Sequence, residues 1–239
     1  MKSIKVGIIT VMVGIALLFG MQSTALAISF GIQVTDSVRT VTVLDNQSAD
    51  DLNPALGVIL ISLTDSAFSI NINTAITNSP GDATGATVDT GWQVGTGTGT
   101  GGLLTITSSA TDFTVPPTGA VTTLVSSFGG TIAPGANTAA AQQWENPSNL
   151  LFAMTGATSG VQGPFGPPGF FDMASVGFTS TTPYSITEEL TLNLAPGGQT
   201  SGDLNSTAGK VPEPISLILL GSGLAGAGLY RRLRKPKKA

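Results

Sequence analysis

The chain contains neither histidine nor cysteine, so any chemistry must come from carboxylates, hydroxyls and carboxamides. A Ser-His-Asp triad, a thiolate nucleophile and the usual zinc ligand sets cannot be assembled. Residues 28–210 hold thirteen Asp and Glu against two bases, Arg39 and Lys210, a net charge of about −11. That leaves no arginine clamp for a phosphoryl group. It also leaves no cationic surface to displace counterions, so nucleic-acid binding is excluded. Glu188 and Glu189 form the most obvious carboxyl pair. Consecutive strand residues face opposite ways, however, whereas glycoside hydrolysis needs two carboxyls roughly 5–9.5 Å apart on one sugar site. No enzyme is expected.

Calcium suits these side chains better, because it takes oxygen ligands. Asp45-Asn46 with Asp50-Asp51, and the stretch Asn78 to Asp82, are acidic turns of the right composition. Neither has the spacing of an EF-hand or a calcium-binding nonapeptide repeat. Solvated loops are expected there, with no cofactor and no committed metal ligands. Gly163-Pro-Phe-Gly-Pro-Pro-Gly-Phe-Phe171 is the most distinctive internal segment. Its Phe165, Phe170 and Phe171 would either offer an apolar, sugar-stacking patch or plug one end of the fold. Gly95 to Gly102 alternates Gly and Thr in a single short run and reads as a flexible loop.

Period-two runs separated by turn residues must position these groups. Ile32 and Val34, Val41 and Val43, Phe68 to Ile72, and Leu104 with Ile106 keep that period. Gly57 to Leu63 is continuously apolar and reads as a central strand, while a short helical turn is expected near Ala139–Trp144. Tyr184, Ile186, Leu190, Leu192 and Leu194 share one phase and define what reads as the last strand. Glu188 falls in that apolar phase, which predicts a bulge or a strand end open to solvent, or else a ligand carboxylate at a sheet rim. The whole predicts an all-β fold, an antiparallel, jelly-roll-like β-sandwich over residues 28–205, with a linker at 206–211.

Both ends read as signals. Lys2 and Lys5 precede an apolar run, and Ala25-Leu26-Ala27 supplies small residues two apart. That is a secretory signal peptide, residues 1–27, with cleavage after Ala27 and export through the secretion translocon. At the other end, Pro212-Glu213-Pro214 is followed by the apolar residues 215–230 and then by Arg231, Arg232, Arg234 and Lys235. Pro214 fits the first turn of a helix. A run of 16 residues containing four glycines is short of the roughly 20 that span a bilayer comfortably. The cations should stay cytoplasmic, leaving the body outside the inner membrane.

Residues 212–235 resemble the PEP-CTERM sorting tail of Gram-negative bacteria, with Pro-Glu-Pro, a short Gly-containing helix and a basic end in order. The same tail is also called an ice-binding protein C-terminal domain, although it is a sorting signal. The resemblance implies recognition by an exosortase, transient anchoring in the inner membrane, and release to the cell surface or the exopolysaccharide matrix. The expected function is therefore that of a non-catalytic surface or matrix protein. The alternative is an adhesin-like module that binds carbohydrate or calcium.

Overall fold

The computed structural model describes residues 29–210, which are strand and turn throughout with no helix among them. The strands are β1 (Phe30–Thr35), β2 (Thr40–Leu44), β3 (Ile61–Thr64), β4 (Phe68–Thr77), β5 (Ala86–Thr96), β6 (Gly102–Phe113) and β7 (Val121–Ile132). They continue as β8 (Thr138–Asn146), β9 (Ala157–Thr158), β10 (Gln162–Phe165), β11 (Gly169–Thr179), β12 (Tyr184–Leu194) and β13 (Gln199–Lys210). One sheet runs β10-β8-β12-β6-β1-β2, with β9 beside β8, and the other runs β11-β7-β13-β5-β4-β3. Both sheets are antiparallel, and they pack face to face as a sandwich.

Apolar residues of one phase on each strand fill the space between the sheets. Trp92 on β5 and Phe128 on β7 meet at 5.8 Å between ring centroids. On β12, Ile186, Leu190, Leu192 and Leu194 are buried in the phase that their spacing predicts. From β5 onward, successive strands alternate between the sheets except at the step from β8 to β9 and β10. Later strands fill the gaps this leaves: β12 lies between β6 and β8, and β13 between β5 and β7.

Three elements differ from their sequence expectation. The apolar run Gly57 to Leu63 is not a central strand. Only β3 within it is strand, and β3 lies at the rim of the six-stranded sheet. The segment Ala139–Trp144 is not a helical turn but part of β8, where Ala139 and Ala141 face the core. Tertiary burial overrides the helix preference of alanine there. The strand β12 is not the last. β13 follows it through Lys210, so residues 206–210 of the predicted linker are strand.

β13 is also central, between β7 and β5. Its inward positions include Thr200, Gly202, Ser206 and Ala208, which are small enough to look like loop. Their smallness is what the packing needs. A methyl group on Gly202 would lie 2.5 Å from Trp92 Cζ2 and 2.3 Å from the Gly129 carbonyl oxygen. The largest core side chain is thus accommodated where β13 presents a glycine, in an inward phase whose one large residue is Leu204.

Candidate functional site

Glu188 lies within β12, opposite Ser108 on β6 and Gln143 on β8, and is 1% exposed. It is neither at a bulge nor at an open strand end, as its phase had suggested. Polar neighbours receive it: Thr90 Oγ1 on the facing sheet is 3.1 Å from Glu188 Oε2 and donates to Ser108 Oγ at 2.7 Å. Burial pushes the carboxyl well above its ordinary range, against the opposing effect of Ser206 and Thr90. Burial thus favours its neutral form, and the side chain serves the core. Glu189 points the other way and is half-buried.

The acidic turns use their carboxylates locally. Asp45 accepts from the Gly57 backbone N–H at 2.7 Å and from Asn46 Nδ2 at 2.8 Å. Asp51 accepts from the backbone N–H groups of Asn46 and Asn53, each at 3.0 Å. Asp82 caps its own turn through the Thr84 N–H at 2.7 Å, and Asn78 accepts from Thr87 N at 2.7 Å. These are loop-closing hydrogen bonds of the kind Asp and Asn make in turns. Among the described residues, no three Asp or Glu side chains gather in a metal-holding cluster.

The phenylalanine segment is divided by the strand phase. Phe165 ends β10 and Phe170 is the second residue of β11. Their rings stack at 5.2 Å, and both meet Phe128, at 6.0 and 4.7 Å. They close one side of the core. Phe171 takes the opposite phase and is 69% exposed on the outer face of the six-stranded sheet.

Around Phe171 the register builds a shelf that sequence reasoning missed. Phe171 stands opposite Gly129 on β7, Gly129 opposite Asp203 on β13, and Asp203 opposite Gly91 on β5. A Cβ on Gly129 would be 3.1 Å from Phe171 Cδ2, and one on Gly91 would be 2.9 Å from Asn73 Oδ1. The aromatic ring and the carboxamide thus lie down over the two glycines, with exposed Asp203 between them. In the next row Asp89 stands opposite Asn205, and Asn205 opposite Ser127. Burial and then the neighbouring Asp203 charge raise the Asp89 carboxyl to about 6. On the other side a groove of about 740 Å³ continues over Asn71, Gln93, Ser201 and Thr131.

This face carries one aromatic platform with carboxyl, carboxamide and hydroxyl groups around it. Neither of the two cations among the described residues belongs to it. Arg39 is paired with Asp65 at 3.4 Å and Lys210 ends β13. Such a surface suits a ligand with an apolar face and hydroxyl edges. The remaining sequence-marked positions, Ala25, Ala27, Pro212, Glu213, Pro214, Arg231, Arg232, Arg234 and Lys235, lie outside the described residues.

Residues 210–235 match the PEP-CTERM protein-sorting motif. The chain carries a PEP-CTERM tail. That tail supports an exported protein sorted at the membrane by an exosortase. No curated protein matches the chain. Among solved structures, the enzymatically active domain of tailspike protein 4 of bacteriophage CBA120 is similar at 13% identity and a TM-score of 0.34. The similarity covers 70% of this chain and 21% of that one, so this chain spans about a fifth of that chain's length.

Proposed function

We propose that this PEP-CTERM protein is a non-catalytic, jelly-roll-like module of the cell surface or exopolysaccharide matrix, and that it holds glycan on the outer face of its six-stranded sheet. The observation that carries the reading is Phe171 lying over Gly129 beside exposed Asp203. A pyranose ring can rest its C–H face on the phenylalanine. Hydroxyls of the same or following sugars then meet Asp203 and Asn205 on β13 and, farther across the sheet, Asn73 on β4. The face is open and broad, which favours a polymer over a small enclosed ligand.

Delivery follows from the two ends. The signal peptide takes the chain through the translocon, and the apolar run 215–230 holds it in the inner membrane with its basic end inside. An exosortase then acts at Pro212-Glu213-Pro214 and frees the module to the surface or matrix of a Gram-negative cell. Calcium is the weaker reading, because the acidic turns already spend their oxygens on backbone N–H groups.

Co-sedimentation with the producing cell's exopolysaccharide, together with a glycan array, tests the assignment. Binding that weakens in Phe171→Ala and Asp203→Asn supports it. Absence of binding, or binding indifferent to both variants, refutes it.

A further inference from the structure

We propose that two copies of this chain pair edge to edge through β11, in an antiparallel, two-fold arrangement that joins their six-stranded sheets. The sandwich has four sheet edges, and three carry recognisable protection. β3 is four residues long, and β2 is five residues with Arg39 beside it. β10 is four residues, contains Pro164 and has a register shift. Short strands, charge, proline and irregular register are the ordinary means of blocking strand addition.

β11 has none of them but a single charge, Asp172. It runs 11 residues in unbroken register with β7, without lysine, arginine, proline or bulge. Among the described residues no strand pairs with its other side. Its single charge, Asp172, lies in the inward, half-buried phase. Its outward phase exposes Phe171 and Met173, 69% and 59% accessible. An edge of this kind is a template for another strand.

The strand is also complementary to itself. Pairing it about Ala174 uses every residue, placing Gly169 opposite Thr179 of the second copy. Phe171 then faces Gly177 and Met173 faces Ser175, while Asp172 faces Val176 and avoids its own symmetry mate. The Phe171 ring lies over Gly129 of its own sheet, and the bare Gly177 of the second copy leaves the facing position free of a side-chain clash. The contact is isologous and closes at two copies. It would also place the two Phe171 shelves on one continuous face, although the pairing itself does not depend on glycan binding.

Because the chain lacks cysteine, introduced thiols report the register directly. In cells making the full chain, Met173→Cys with Ser175→Cys should give a covalent dimer on oxidation. A Ser62→Cys control on the exposed side of β3 should not. Wild-type protein released by the cells should sediment as a dimer. Ser175→Lys and Met173→Lys, both exposed positions, should sediment as monomers and still unfold cooperatively. A monomeric wild type overturns the proposal, as does cross-linking no greater than the Ser62→Cys control or a dimer that survives both lysine variants.

Discussion

Thr90 Oγ1 stands 3.1 Å from Glu188 Oε2, linking β5 of one sheet to β12 of the other through the middle of the core. Burial there outweighs the hydrogen bonds that favour the charged form of Glu188 and pushes its carboxyl well above the ordinary range. Glu145, buried on β8, is raised to about 7 by the same cause, and Asp89 to about 6. In each case the folded chain holds a proton that the unfolded chain has already released. Stability is therefore full below the unfolded carboxyl value and falls as pH rises through the folded one. The melting temperature should be higher at pH 5 than at pH 8 by several degrees. Glu188→Gln should flatten that slope and raise the melting temperature at pH 8. Calorimetry across that range decides it, and a slope of the opposite sign would contradict the assignment.

Gly202 should tolerate no side chain. Gly202→Ala drives a methyl group into Trp92 and the Gly129 carbonyl, an overpacking that costs about 1–3 kcal/mol. Trp92→Ala alone should cost about 3–5 kcal/mol through the cavity it leaves. Combined with Trp92→Ala, Gly202→Ala should add less than it costs alone, since the clash is partly relieved. Denaturant unfolding of the four proteins measures that coupling, and strictly additive costs would count against the contact.

Phe171→Ala should weaken glycan binding by about three- to tenfold, the usual worth of an aromatic contact at an exposed site. Phe165→Ala and Phe170→Ala should instead lower stability, because those rings stack against each other and Phe128. Titration with the isolated polysaccharide and thermal melts of the same variants separate the two effects.

Removing residues 211–239 should leave the protein exported but no longer retained or sorted. Pro212→Ala with Pro214→Ala should accumulate unprocessed chain at the inner membrane. Fractionation with mass spectrometry of both termini reads these outcomes, and unchanged surface delivery after either change would refute sorting by the tail.

What the sequence determined by itself was largely what is local or one-dimensional. The missing histidine and cysteine, the acidic middle, the C-terminal sorting motif and the period-two strands are read residue by residue. The apolar phase of β12 extends to Glu188, although the bulge or open strand end expected from it is absent. Tertiary structure decided what depends on partners far along the chain. β13 lacks a hydrophobic pattern because its inward residues must be small beneath Trp92, so only the packed core shows it to be a central strand. Glu188 is admitted to the core because Thr90 comes from the opposite sheet. Phe171 and Asp203 meet on one shelf because Gly129 pairs with both of them, and strand register across distant segments is not written in the periodicity of any one of them.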